Sequence, residues 1–255
     1  MKLPDERTAP NTDPLAYSIY LYGEPKTGKT TWAAQQANAL FLATEPGLEA
    51  LDVYQLQMNS WQDLREAVVL LEKEPDKYAA VVVDTIDLAY ELCAKHYTKK
   101  HKIEHVADHE FGKGHGIVKD MFSSWLASLC RLPMQVILIG HAKFRPVSKY
   151  APAKHIPACA TGAAAAITSL VDCTLFVEAA SKGSVVHCLP GATWMAGCRV
   201  SGMPAKIKMD YHAFMSALAE AVTRQTGKAT PPPANTEGEL GEPQDDTETD
   251  DDPFA

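Results

Sequence analysis

The sequence predicts an α/β fold, a mainly parallel central sheet with helices on both faces, followed by a disordered acidic C-terminal tail. Three observations predict it. Residues 79–85 and 134–141 are short apolar runs without polar alternation, the pattern of strands buried on both faces. Stretches with helical spacing alternate with such runs, which makes the strands parallel. Gly23-Glu24-Pro25-Lys26-Thr27-Gly28-Lys29-Thr30 spells G-x-x-x-x-G-K-T between a strand and a helix.

In chain order, residues 1–15 read as a flexible N-terminal segment, and a domain over 16–228 follows. Residues 16–22 are β-branched and aromatic and read as the first strand. Residues 31–40 read as a helix, and 39–44 as a second strand ending at Glu45-Pro46-Gly47. Trp61, Leu64, Val68 and Leu71 recur at helical spacing and predict a helix over 60–73. The strand at 79–85 carries Asp84 near its end, and helices follow over 86–100 and 117–132, joined by a polar, His-rich connection. The buried strand at 134–141 leads into 142–162, a loop rich in Lys, Pro and Ala. Strands are expected at 171–178, 184–189 and 205–209, and a closing helix over 211–226 ends at Gly227. Thr230-Pro231-Pro232-Pro233 opens a tail, 229–255, too polar and acidic to pack.

The 255 residues are 46% hydrophobic, enough to bury one α/β core. No run approaches the 18 apolar residues of a membrane span, and Met1-Lys2-Leu3-Pro4-Asp5-Glu6-Arg7 has no signal-peptide core, so a soluble, cytoplasmic protein without a membrane partner is expected. Six scattered cysteines without a C-x-x-C read as buried thiols. The net charge of -8 divides unevenly: the tail holds nine acids and no base, leaving 23 acids against 24 Lys and Arg in the body. Overall acidity therefore does not exclude nucleic acid as a partner of the body.

The glycine-rich segment predicts a nucleoside triphosphate site. Glycines let the backbone aim consecutive N–H groups at one center, ahead of a helix N-terminus. Gly23, Glu24, Pro25, Lys26, Thr27, Gly28, Lys29, Thr30 and Thr31 would surround ATP, with Lys29 reaching the β- and γ-phosphates. Thr30 and Asp84 would hold Mg2+, Asp84 usually through water; Asp84 also suits an N-cap for the helix behind it. In many ATPases a glutamate directly after this aspartate polarises the attacking water, but here that residue is Thr85. Glu45, at a strand end facing the same crevice, is the candidate base, against a solvated loop carboxylate.

With a glutamate after the second strand, an aspartate-threonine pair ending the third and a polar residue ending the fourth, the chain resembles the RecA-type ATPase core. It is more closely similar to phage-encoded RecA-like P-loop ATPases that include the Sak-type single-strand annealing proteins. Tyr22-Gly23-Glu24-Pro25, Leu42-Ala43-Thr44-Glu45-Pro46-Gly47, Val83-Asp84-Thr85-Ile86-Asp87, Phe111-Gly112-Lys113-Gly114 and Ile139-Gly140-His141-Ala142-Lys143 carry the likeness, which covers roughly residues 16–215. It implies a RecA-like fold and a DNA-stimulated ATPase that binds single-stranded DNA as an oligomer or filament and promotes annealing or strand exchange. It also implies a phage gene acting in the host cytoplasm.

The resemblance makes His141 a sensor that reports the γ-phosphate to a DNA-contacting loop, against a strand-end histidine bonded to backbone. Lys143, Phe144, Arg145, Lys149, Tyr150 and Lys154 in that loop suit phosphate contact and base stacking, against a solvated basic loop. Lys113 belongs to a second candidate DNA segment, where His101, His105 and His109 would share one face of a continuous helix. The family also inserts a cation into a neighbour's nucleotide site; its A-K-x-R pattern survives here only as Arg199 of Ala196-Gly197-Cys198-Arg199, with Lys206 and Lys208 as alternatives. The tail from Asp250 to Phe254 resembles the acidic tip with which single-stranded-DNA-binding proteins dock replication and repair enzymes, except for the added Ala255. A solubilising tail, or one competing with DNA for the basic loops, are the other readings. Two other functions use the same loop: an ATP switch acting as a loader or interaction protein in replication, and a small-molecule phosphotransferase.

Overall fold

The computed structural model describes residues 2–109, 112–146, 152–181 and 183–227. The first strand, β1 (Ile19–Gly23), begins later than its apolar run because Pro14–Ala16 form a 3-10 turn capped by the Asp13 side chain. The following helix, α1 (Lys29–Ala33), is five residues long, not the ten expected. Asn38 takes a left-handed backbone at φ 59°, and the chain passes directly into β2 (Ala39–Ala43), so Ala39 and Leu40 are strand residues.

The edge strand β3 (Tyr54–Gln57) was not visible in the sequence: its side chains are exposed and it carries no buried face. Helix α2 (Trp61–Lys73) starts at Ser60, whose hydroxyl accepts the Asp63 N–H while Asp63 returns a bond to the Ser60 N–H. Then come β4 (Ala80–Asp84), α3 (Ile86–His101) and α4 (Gly114–Leu129). Helix α3 ends at left-handed Lys102, as the expected helix over 86–100 with a His-rich connection behind it requires, so His101, His105 and His109 do not share the face of one continuous helix. Among the described residues no group of three metal-ligating side chains occurs.

Strand β5 (Gln135–Pro146) runs five residues past the expected end, and its last part pairs antiparallel with β6 (Ala153–Pro157). Within the segment read as a loop over 142–162, residues 142–146 and 153–157 therefore form a two-stranded ribbon, with Phe144 opposite His155 and Arg145 opposite Lys154. Helix α5 (Thr161–Leu170) follows; its alanine-rich sequence lacks an amphipathic stripe, and it buries Ala163, Ala166 and Ile167. Strands β7 (Cys173–Glu178), β8 (Val185–His187), β9 (Gly197–Cys198) and β10 (Lys206–Lys208) precede α6 (Tyr211–Thr226), which the sequence placed correctly to the residue.

The sheet order is β10-β8-β7-β1-β5-β4-β2-β3, with β6 on β5 and β9 on β7. From β7 to β3 all neighbours on this path are parallel. Both faces are covered, which explains the unbroken apolar strands: Tyr20, Tyr22, Val81, Val83, Val136 and Leu138 pack under α2 to α5, while Ile19, Leu21, Val82, Ile137, Leu175 and Val177 pack toward α1 and α6. Trp32 of α1 is buried between Tyr211 and Phe214 of α6, with ring centroids 5.1 and 5.7 Å away. The six cysteines are free thiols.

Because β5 lies between β1 and β4, the glycine loop and Asp84 stand two strands apart, roughly 10 Å at the usual strand spacing. His141 on β5 is level with Gly23 on β1. One end of the parallel sheet thus carries the ends of β1, β2 and β4 together with His141 of β5, which runs on beyond it.

Candidate nucleotide site

Gly23 closes β1 where a side chain cannot fit, since a Cβ would lie 2.8 Å from the Val177 carbonyl oxygen. Gly28 precedes α1 with φ 89°, in the left-handed region, with nothing within 4 Å of where a Cβ would be. Glu24, Pro25, Lys26 and Thr31 are exposed around it, and Thr27 is buried, its hydroxyl donating to the Glu24 carbonyl at 2.9 Å.

Lys29 is buried and folds back over the loop, donating to the carbonyls of Gly23 at 3.1 Å and Glu24 at 2.7 Å. Burial lowers its pKa, with Asp84, Asp87 and Glu45 acting against that. Asp84 is buried, and Thr30 Oγ1 donates to its Oδ2 at 2.8 Å. Burial raises the Asp84 pKa despite that bond and the nearby Lys29 and His141. Two hard oxygen donors, one a desolvated carboxylate, fit a magnesium ion, which would compensate the buried charge.

Glu45 is brought to this center by a pair of threonines. The Thr85 N–H donates to Thr44 Oγ1 at 2.7 Å, and that hydroxyl donates to the Thr85 carbonyl at 3.0 Å, tying the end of β2 to the end of β4. Burial raises the Glu45 pKa, while His141 pulls it down. Glu45 Oε1 lies 3.9 Å from His141 Nε2. On the other side of the ring, His141 Nδ1 lies 2.8 Å from Asp87 Oδ2, and the His141 N–H donates to Asp87 Oδ1 at 3.2 Å. The Asp87 bond is the main reason the His141 pKa is raised. Burial works to raise Asp87, but the His141 contacts outweigh it and its pKa is lowered.

The tertiary structure therefore gathers Lys29, Thr30, Asp84, Glu45 and His141 at one sheet end. Asp87 belongs to the same cluster and was given no role from sequence. Its signal was its place in the first turn of the helix behind Asp84, where an acid is easily read as ordinary helix-start chemistry.

The ribbon residues divide by face. Phe144 is 59% exposed, and its ring lies 4.8 Å from that of His155. Lys143 instead donates to the carbonyls of Ala158 at 2.7 Å and Cys159 at 3.1 Å, anchoring the ribbon. Arg145 reaches Thr161 Oγ1 at 3.4 Å and Lys154 the Gly191 carbonyl at 3.5 Å. Lys113 is the residue before α4. Lys149, Tyr150, Phe111 and the tail from Asp250 to Phe254 lie outside the described residues.

Arg199 is not part of the cluster. It bonds Asp172 Oδ1 at 3.4 Å and the Ser169 carbonyl, and Asp172 is in turn bonded to Ser18. Ser18 precedes β1, so Arg199 sits at the sheet end opposite the glycine loop. Among the described residues no helix is long and apolar enough to cross a membrane.

The chain is similar to several known proteins. The SPbeta prophage-derived uncharacterized protein YorG of Bacillus subtilis (strain 168) is 27% identical over 132 residues, covering 49% of this chain and 40% of that protein. The chain thus spans less than half the length of that relative. The crystal structure of the RadB recombinase is a structural neighbour at 17% identity and a TM-score of 0.44, covering 68% of this chain and 80% of that one. The AAA domain family matches residues 15–200, a stretch that runs from the start of β1 past β9 and holds every residue of the cluster. A glycine loop closed by Lys29 and Thr30, an aspartate two strands away and a prophage-derived relative bear out the resemblance to phage-encoded RecA-like P-loop ATPases, and the chain belongs to the AAA domain family.

Proposed function

We propose that the protein is a magnesium-dependent ATPase that binds single-stranded DNA as an oligomer or filament and acts in recombination, by annealing or strand exchange. The observation that carries this reading is the continuity of β5. The strand that places His141 beside Glu45 and the glycine loop runs on without a break into Lys143, Phe144 and Arg145. A displacement at the nucleotide end of one strand is passed directly to a basic, aromatic ribbon.

In this reading Lys29 and the loop N–H groups bind the triphosphate, and Thr30 and Asp84 hold magnesium, which supplies charge neutralisation at the phosphates. Glu45 orients and deprotonates the attacking water. His141 donates from Nε2 to the γ-phosphate and passes its presence to the ribbon. Phe144 stacks on a base, and Arg145, Lys154, Lys149 and Lys113 meet phosphates; Lys143 joins them only by giving up its carbonyl partners. Arg199, 58% exposed and at the opposite sheet end, faces a neighbour's nucleotide in a head-to-tail assembly. The tail from Asp250 to Phe254 recruits a replication or recombination protein.

The test is ATP turnover by the full chain with and without single-stranded DNA. Stimulation by DNA supports the reading. Turnover indifferent to DNA removes the DNA step and favours a loader or switch; turnover only with a small acceptor means a phosphotransferase.

A further inference from the structure

Both carboxylate oxygens of Asp87 are committed to one residue on another element. Oδ1 accepts the backbone N–H of His141 at 3.2 Å, and Oδ2 lies 2.8 Å from its Nδ1. Two-point contact fixes the backbone and the ring of His141 together, which one hydrogen bond would not do. The ring is thereby turned so that its other nitrogen, Nε2, faces Glu45 at 3.9 Å. An acid in the first turn of α3 serving only the helix would have no need to reach across to β5.

We infer that Asp87 is the positioning residue of the nucleotide site, holding His141 with its proton on Nδ1 and with Nε2 presented to Glu45 and the glycine loop. The inference rests on the ATPase reading for its catalytic consequence, and on geometry alone for the state of the ring. Around the imidazole stand Asp87 from α3, Glu45 from the end of β2, Lys29 from α1 and Asp84 from β4. The balance favours the charged ring, Asp87 contributing most, so both nitrogens are donors over a wider pH range than in an ordinary histidine. A charged ring keeps Nε2–H available as a donor; a neutral ring with its proton on Nδ1 does not.

Asp87→Asn is nearly isosteric and makes a sharp distinction. Its Oδ1 still accepts the His141 N–H, so Nδ2–H is left facing Nδ1. The ring must then hold its lone pair on Nδ1 and its proton on Nε2, and it resists protonation.

The test uses the full chain labelled with 15N-histidine. Among its nine histidines, the His141 signals are those lost in His141→Gln. The wild-type ring is expected to titrate above the ordinary value of 6.5, with the proton on Nδ1 in its neutral form. In Asp87→Asn the titration moves to lower pH and the neutral proton moves to Nε2. For MgATP hydrolysis near neutral pH, where the variant ring keeps Nε2–H but loses its charge, kcat falls about 10-fold while KM changes by less than about threefold. The alkaline limb that the wild type shows when its ring loses the Nε2 proton is expected to disappear, because the Asp87→Asn ring keeps that proton in both its charged and its neutral form. Asp87→Glu, which keeps a carboxylate, restores the Nδ1 tautomer and part of kcat. An unchanged tautomer and midpoint in Asp87→Asn would overturn the inference. So would a wild-type neutral ring with its proton on Nε2, a reading that needs no variant to fold. Absence of ATP hydrolysis by the wild-type chain, with or without DNA, would instead overturn the ATPase reading and leave the spectrum to decide the role of Asp87.

Discussion

Thr30 and Asp84, 54 residues apart, meet at 2.8 Å between the start of α1 and the end of β4. The contact spans the intervening strand β5 and closes the floor of the site. A buried carboxylate with a hydroxyl as its partner is poorly compensated, which is a cost to the ligand-free protein and an invitation to a cation.

The cost of that carboxylate is measurable. Its pKa is raised in the folded protein, so its contribution to stability is fullest below the ordinary carboxylate value of 3.8 and is lost as pH rises through the folded value. Asp84→Asn should therefore raise the thermal midpoint of the metal-free chain at neutral pH, with the gain disappearing near pH 3. The same variant should lose stabilisation by MgATP. Calorimetry across pH, with and without MgATP, checks both; a neutral-pH midpoint lowered by several degrees would contradict the desolvation account.

Glu45→Gln preserves the size and polarity of the side chain while removing its capacity to accept a proton. MgATP binding should survive, and hydrolysis should slow by about 10²-fold or more. Equilibrium binding of a fluorescent ATP analogue alongside single-turnover hydrolysis separates the two. Wild-type turnover by this variant would remove Glu45 from the chemistry.

Phe144 is an exposed aromatic of the ribbon, and Lys143 is engaged with backbone carbonyls. Phe144→Ala should weaken single-stranded DNA binding by about 1 to 3 kcal/mol, the usual value of one stacked base, and leave DNA-free ATP turnover unchanged. Lys143→Ala should instead loosen the ribbon, raising its proteolytic sensitivity without ligand. Fluorescence anisotropy with a labelled oligonucleotide and limited proteolysis distinguish the two effects.

Trp32 follows Lys29 by three residues and is buried against Tyr211 and Phe214 of α6. Trp32→Ala should cost about 3 to 5 kcal/mol of unfolding free energy, read from the urea midpoint. Because the same helix turn carries Lys29 and Thr30, affinity for MgATP should fall with it. Trp32→Phe should recover most of the stability.

Helix α6 could be delimited from its sequence because its cues are local: Asp210 accepts the Ala213 N–H at 2.7 Å, and Gly227 ends the helix at φ 67°. The same holds for α2 with Ser60 and for the core strands, whose apolar runs announce burial on both faces. The failures had the opposite character. Helix α5 lacks a polar face to reveal its period, β3 is a strand only because β2 offers it a partner, and the ribbon after His141 pairs residues 7 to 15 positions apart that no short motif marks as partners.

The residues that touch a triphosphate in a P-loop were legible because one octapeptide holds them, and its glycines must adopt backbone angles that other residues resist. The chain by itself determined the phosphate-loop motif, the α/β layers and the candidacy of Glu45, Asp84 and His141. Only the tertiary structure decided that β5 inserts between β1 and β4, that Arg199 lies at the far end of the sheet, and that Asp87 takes hold of His141. Strand order and cross-element hydrogen bonds arise from the joint burial of many distant side chains. Local periodicity carries no record of which strand becomes whose neighbour.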